Sequence, residues 1–164
     1  MKWKQLLRFW KNMVYTVYRP DIIKDYNQIF SRDVAFVIED KIIRANILPN
    51  RIKEIEAIGY VGNKTNPKNR IILPKACHAE GGDIIVWNDF IFVGTYSGAD
   101  YPEHITARNN LDTVIALQEL FPNKKVKGFD LRKSNTDPKE NALHLDCCFQ
   151  PIGKDKAIIH KIVF

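Results

Sequence analysis

Three pairs of short apolar runs, each pair closed by a turn of polar or glycine residues, recur along the chain. Apolar and β-branched runs around such turns predict β-hairpins. The predicted strand pairs are 34–38 with 42–43, 84–87 with 90–93, and 147–149 with 157–159. An aspartate opens each hairpin: Asp33, Asp83 and Asp146. The pattern indicates a repeated unit that delivers carboxylates to a common centre.

A helix and a strand are predicted after each of the first two hairpins. The first helix covers 51–58 and is short and exposed; it precedes a polar loop over 59–69 and a strand over 70–73. After a loop over 97–110, Asn110 is predicted to cap an apolar-striped helix that Pro122 ends, and a strand follows over 126–131. The order of elements predicts an α/β (α+β) fold.

The repeats predict the domain organisation. We expect one domain over 1–164, with modules at 33–73 and 80–131, the hairpin of a truncated module at 144–164, and the tail of another at 1–20. Open sheets have unpaired edges that other strands can pair with. The chain is therefore expected to be a fragment, or to form a homo-oligomer through those edges.

Residues 2–17 carry apolar side chains at helical spacing, with basic side chains between them. One interpretation is a basic amphipathic helix on a membrane surface. The other is a helix that packs on a sheet and precedes a strand over Tyr15 to Tyr18. The second is favoured because the later modules also place a strand after a helix.

Composition excludes some classes of protein. The 164 residues are 45% hydrophobic and 27% charged, which suits a globular domain with a core. The net charge of +6 is dispersed and lacks an aromatic stacking motif, so we expect no nucleic-acid partner. No apolar run reaches about 18 residues, and no secretory signal is evident, so no membrane partner is expected. Three cysteines, an odd number, favour a reducing compartment, and we predict a cytoplasmic location.

The candidate chemistry lies at the entrances to the hairpins. Several convergent carboxylates suit a guanidinium, whose forked donors pair with carboxylate oxygens, and a nearby histidine can move protons near neutral pH. Gly81 and Gly82 would let the backbone approach a ligand closely. Any single aspartate could instead cap a turn, but the recurrence favours a site. The candidates are Asp33, Glu80, Asp83, His144 and Asp146.

Two alternative chemistries are weaker. Zinc ligands could be drawn from Cys77, His78 and Glu80, or from residues 144, 146 and 147, but no paired spacing supports them, so neither a metal nor a cofactor is predicted. Cys147 or Cys148 could be a nucleophile near His144. Alternation along a strand favours a place in the core for these cysteines.

Three motifs resemble those of the arginine deiminase and amidinotransferase superfamily, the guanidine-modifying enzymes. They are Ser31-Arg32-Asp33, Glu80-Gly81-Gly82-Asp83 and His144-Leu145-Asp146, and the resemblance extends from about Tyr18 to Ile159. It implies an α/β propeller of five ββαβ modules (the pentein type) around an axial, metal-free site, with about three modules present.

The resemblance also implies roles for individual residues. Asp33 and Asp146 would hold the guanidinium of arginine or a related compound, His144 would be the acid and base, and Glu80 would support both. Asp83 follows the motif as a substrate contact. Arg108 could grip a substrate carboxylate, in place of an arginine that deiminases carry near 94–100.

The family's nucleophilic cysteine, which forms a covalent amidino intermediate, is expected to lie outside this chain. The preferred hypothesis is an amidinotransferase-like protein. The alternatives are a hydrolase like arginine deiminase or dimethylarginine hydrolase, and a non-catalytic module that binds guanidino ligands or oligomerises.

Overall fold

A computed structural model describes residue 13 and residues 15–164. Most of the helix predicted over 2–17 lies outside these residues. The strand predicted over Tyr15 to Tyr18 is absent. The segment that follows bonds to a helical region instead of a sheet: the amide of Asp21 donates to the carbonyl of Ala57 at 2.9 Å, and the Tyr60 hydroxyl donates to the carbonyl of Arg19.

Eight strands and four short or medium helices form the described chain. The strands are β1 Ala35–Ile38, β2 Lys41–Arg44, β3 Arg70–Ile72, β4 Ile84–Trp87, β5 Phe90–Thr95, β6 Lys125–Asp130, β7 Phe149–Ile152 and β8 Lys156–Ile159. The helices are α1 Ser31–Val34, α2 Ile52–Glu56, α3 Gly59–Lys64 and α4 Leu111–Leu120. Single turns of 3-10 helix lie between them. The predicted mixed α/β fold is confirmed.

Two small sheets share one topology. Their strand orders are β1-β2-β3 and β4-β5-β6. In each sheet the first two strands form an antiparallel hairpin, and the third strand, which follows a helix in the sequence, pairs parallel to the second. The first residue of each hairpin turn has a left-handed backbone, at Glu39 (φ 55°) and Asn88 (φ 52°). Strands β7 and β8 form a separate antiparallel pair.

The second sheet is the central layer because it is buried on both faces. Successive side chains of a strand point to opposite faces. Ile84 and Ile91 accordingly join one core cluster with the first sheet and α4, whereas Ile85 and Phe92 join another with Leu145. The central sheet therefore links the first module to the region of the third motif.

Some predicted elements differ from the observed ones. Helix α2 is not fully exposed: Glu54 and Ile55 are buried, because this face lies against Val34, Ala45 and Ile47 and the acidic cluster described below. Part of the predicted loop 59–69 is helix α3. The third hairpin begins at Phe149, because Leu145–Cys147 form a 3-10 turn.

None of the helices in the described part of the chain is long and apolar enough to cross a bilayer.

Candidate active site

A helical turn precedes each hairpin, and the three turns pack against one another. These turns are α1, the 3-10 turn Gly81–Asp83 and the 3-10 turn Leu145–Cys147. A Cβ on Gly82 would lie 2.8 Å from Cγ of His144, and one on Gly81 would collide with the carbonyl of Arg32. Glycine is required here because the turns meet one another, and the approach of this backbone to a ligand stays a prediction.

The middle turn orients His144. Its Nδ1 lies 3.1 Å from Oδ2 of Asp83, whose Oδ1 accepts the amide of Leu145 at 2.7 Å. An ionised carboxylate can only accept, so Nδ1 carries the proton of the neutral ring and Nε2 carries the lone pair. Asp83 is 1% exposed, does not line the cleft and contacts His144 and Leu145, while its role as a substrate contact stays a prediction.

The other nitrogen of His144 faces two more acids. Nε2 lies 3.5 Å from Oε2 of Glu80 and 3.7 Å from Oδ2 of Asp33. Burial acts most strongly and favours the neutral ring. The hydrogen bond to Asp83 and the charges of Asp83, Asp33 and Glu80 together outweigh it, so the pKa of His144 is raised above its ordinary value of 6.5.

Two arginines of the chain cap Glu80, which has no solvent exposure. Arg108 Nη1 donates to Oε1 at 2.9 Å, and Arg51 Nη1 donates to Oε2 at 2.7 Å. The backbone amide of Glu80 donates to Asn109 Oδ1 at 2.8 Å. Both carboxylate oxygens are therefore paired within the chain.

Arg51 also joins Asp33 to helix α2. Its Nη1 lies 3.2 Å from Oδ2 of Asp33, while Nε and Nη2 each donate at 2.9 Å to Glu54. Neighbouring carboxylates, of which Glu54 contributes most, raise the pKa of the Arg51 guanidinium. Sequence reasoning assigned no role to Arg51 or Glu54, although their i, i+3 spacing on a predicted helix was a usable signal.

Asp146 has more open acceptor capacity than the other acids. Its side chain is 31% exposed and pairs with Arg32 Nε at a distance of 3.5 Å. The main bonds of Arg32 go to the carbonyls of Gly81 and Ile84, at 2.9 and 2.6 Å. Burial raises the pKa of the Asp146 carboxyl more strongly than His144 and Arg32 lower it. An arriving cation would stabilise the ionised form.

These groups line a cleft of about 520 Å³. Of the predicted site residues, four lie on its wall: Asp33, Arg108, His144 and Asp146. Arg51, Glu54, Arg32 and Cys147 also contribute to the wall. Glu80 lies directly behind Arg51 and Arg108, and Asp83 lies behind His144.

The two neighbouring cysteines occupy different environments. Cys148 is buried, its Sγ lies 3.3 Å from the carbonyl of Leu145, and burial raises the pKa of its thiol to about 11. Cys147 is exposed at the cleft, so the core interpretation is wrong for this residue. The thiol of Cys147 is nevertheless partly buried, and this burial, together with the charge of Asp146, raises its pKa as well.

Among the described residues, Asp33, Glu80 and His144 form a group whose ligand atoms lie within 4.8 Å of one another. These residue types can bind a divalent metal. The same two carboxylates already hold the Arg51 guanidinium, so an ion placed there would lie beside a fixed positive charge. The cluster is matched to a guanidinium more closely than to a bare ion.

Known proteins share this architecture. No protein-family model matches the sequence. The uncharacterised protein YkgA of Bacillus subtilis is 28% identical over 134 residues, which are 81% of this chain and 40% of that protein. The amidinotransferase SxtG of Microseira wollei, from saxitoxin biosynthesis, gives a TM-score of 0.72 at 15% identity, over 98% of this chain and 54% of its own.

Two hydrolases have similar structures. The arginine dihydrolase ArgZ of the cyanobacterial ornithine–ammonia cycle gives a TM-score of 0.70 at 18% identity, over 96% of this chain and 23% of its own. A DDAH from Pseudomonas aeruginosa, solved with citrulline, gives a TM-score of 0.58 at 18% identity. The match covers 74% of this chain and 42% of the DDAH chain. This chain has the fold of the guanidine-modifying enzymes. The predicted resemblance to the arginine deiminase and amidinotransferase superfamily is confirmed at the level of the fold, and the chain spans 40% of the length of YkgA.

Proposed function

We propose that this chain supplies the guanidinium-binding and acid–base groups of a guanidine-modifying site that acts on arginine or a related guanidino compound. One observation carries the proposal. A histidine that Asp83 orients, with its other nitrogen facing Glu80 and Asp33, lines the same cleft as the partly exposed carboxylate of Asp146. The positive charge of a bound guanidinium would offset the desolvation that disfavours ionised Asp146.

The proton chemistry follows from the orientation of the ring. With Nδ1 bonded to Asp83, Nε2 can accept a proton from an attacking group and return it to a leaving amine. The surrounding acids stabilise the imidazolium that forms between these steps. His144 therefore performs both steps, while Glu80 and Asp83 position it.

In the proposed reaction a cysteine thiolate attacks the guanidinium carbon, an amine leaves with a proton from His144, and a second amine or water then displaces the thiolate. Cys148 is buried, and the raised pKa of Cys147 disfavours its thiolate, so neither is proposed as the nucleophile. The nucleophile is assigned to a cysteine outside this sequence. Transfer to an amine is preferred, and the similar TM-score of ArgZ keeps hydrolysis as the second candidate.

Guanidinium binding tests the proposal without turnover. Methylguanidinium and L-arginine are titrated into the chain, and the dissociation constants are followed by NMR chemical shifts. We expect Asp146→Asn to weaken the binding of both ligands at least about tenfold, the equivalent of about 1.4 kcal/mol, because a neutral amide cannot form a charge-assisted pair.

Asp155→Asn is the matched control, since Asp155 lies in the exposed turn between β7 and β8. We expect this variant to bind both ligands as tightly as wild type does. If wild type and Asp146→Asn bind the ligands equally strongly, Asp146 does not contact the guanidinium. The absence of binding in every variant would refute the proposed function.

Several finer features belong to the same proposal. They include the five-module propeller, of which about three modules are here, the domain bounds, and a cytoplasmic location, which the three free cysteines support. A homo-oligomer through sheet edges is also included. Its support is that β8 pairs only with β7 in the described chain, and that Ile158 on β8 is 64% exposed.

A further inference from the structure

The guanidinium of Arg51 occupies the centre of the carboxylate cluster. A single nitrogen, Nη1, donates to Oδ2 of Asp33 and to Oε2 of Glu80. These are the same two oxygens that face Nε2 of His144. The chain therefore places its own guanidinium beside the proposed acid and base.

This arrangement has the chemistry expected of a bound guanidino ligand. The side chain of Asp33 is 7% exposed and that of Glu80 is 1% exposed, so almost all of their acceptor capacity is directed inward. Because Arg51 uses an oxygen of each acid, a second guanidinium would compete with Arg51 for those oxygens.

We propose that Arg51 is an internal guanidinium that occupies the acceptor site in the ligand-free chain, and that a guanidino ligand binds by displacing its Nη1. The inference rests on the proposed function and adds a regulatory contact to that site. The apparent affinity for a guanidino ligand then depends on the fraction of molecules in which Nη1 has left Asp33 and Glu80.

Glu54 makes the displacement feasible. It holds the opposite edge of the guanidinium, through Nε and Nη2, on the same helical segment. When Nη1 is displaced, Arg51 keeps this two-bond pair, and its charge stays neutralised. The side chain is 17% exposed and lines the cleft, so a ligand can reach it.

The test compares the binding of methylguanidinium to the full chain with that to Arg51→Gln, by NMR titration. We expect the dissociation constant to fall at least about tenfold in Arg51→Gln, because the competing donor is gone. Arg70→Gln is the matched control: Arg70 donates to the carbonyls of Asn63 and Thr65 at the surface, and its loss should leave the affinity unchanged.

Loss of Arg51 leaves three buried carboxylates without this cation, so a second variant guards against misfolding. Arg51→Gln with Glu54→Gln removes the cation together with its main partner, and circular dichroism verifies the fold. We expect the same tightening in this double variant. If Arg51→Gln unfolds, the dissociation constant of the double variant is the one compared with wild type.

Each result separates the two proposals. Unchanged or weaker methylguanidinium binding in the folded Arg51 variants, with wild-type binding that Asp146→Asn weakens, overturns the internal-guanidinium proposal and leaves the proposed function intact. Weaker binding of L-arginine alone also overturns it, because Arg51 would then contact another part of the ligand. No binding in any variant overturns both.

Discussion

The two ring nitrogens of His144 have different neighbours, and the difference defines what the residue can do. On one side, Asp83 accepts from both Nδ1 and the next backbone amide, so it fixes the ring and the turn together. On the other side, Nε2 faces Asp33 and Glu80 across longer distances. One nitrogen is therefore fixed by a hydrogen bond, and the other is the one that the proposed function assigns to proton transfer.

Asp83→Asn is expected to lower the pKa of His144, since the ring loses a charged hydrogen-bond partner that favours the protonated form. The midpoint is measured from the pH dependence of the ring resonances by NMR. Asp155→Asn should leave it unchanged. A His144 midpoint that does not move in Asp83→Asn would show that the more distant acids control its charge.

Helix α4 connects the core to the segment that carries Glu80. Its cap residue Asn110 accepts from the amide of Thr113 and from the amide of His78, while its Nδ2 donates to the carbonyl of Ala76. The neighbouring Asn109 accepts the Glu80 amide. The start of this helix therefore holds the chain that leads into the middle turn of the site.

Asn110→Ala is expected to lower the free energy of unfolding by about 1–2 kcal/mol, because it removes a helix cap and two tertiary hydrogen bonds at once. Urea denaturation measures the change. Asn66→Ala is the control, as Asn66 caps only the surface 3-10 turn Pro67–Asn69, and its effect should be smaller. Equal losses in the two variants would contradict the tertiary role of Asn110.

At the scale of the whole molecule, the fold collects buried charge where the three turns that precede the hairpins meet. Asp33, Glu80, Asp83 and His144 are all less than 9% exposed. Arg51 pairs with Asp33 and Glu80, Arg108 pairs with Glu80, and His144 pairs with Asp83. Burying charges is costly unless they are paired and hydrogen-bonded. The apolar cores on both faces of the central sheet supply the stability that keeps this cluster in place.

The stability of the chain should therefore depend on pH through His144. Its pKa is raised in the folded state, so the folded state binds the proton more tightly than the unfolded state does. This contribution is complete below the unfolded pKa of about 6.5 and is lost as pH rises through the folded value.

Chemical denaturation of the wild type at several pH values, with His144→Gln for comparison, measures this contribution. We expect the difference between the two free energies of unfolding to shrink as pH rises above about 6.5. His160→Gln, at the exposed end of β8, is the control. A constant difference across this range would contradict the raised pKa.

The local pattern of the chain was enough to predict the strands of its first two hairpins. Apolar runs around two-residue turns predict β1, β2, β4 and β5 almost to the residue, because strand formation depends on local side-chain periodicity. Asn110 and Pro122 likewise mark the ends of α4 correctly. Helix α3 escaped prediction because Gly59 and Gly62 give no helical signal by themselves.

The amino-acid sequence by itself determined the mixed fold and the acids and histidine at the hairpin entrances, since both depend on local residue type and spacing. Only the tertiary structure decided what each acid contacts. Asp83 lies behind His144, Asp146 remains open, and Arg51 fills the space between Asp33 and Glu80. Arg51 and Glu80 are 29 residues apart, and that contact exists only because the turns of separate modules pack together.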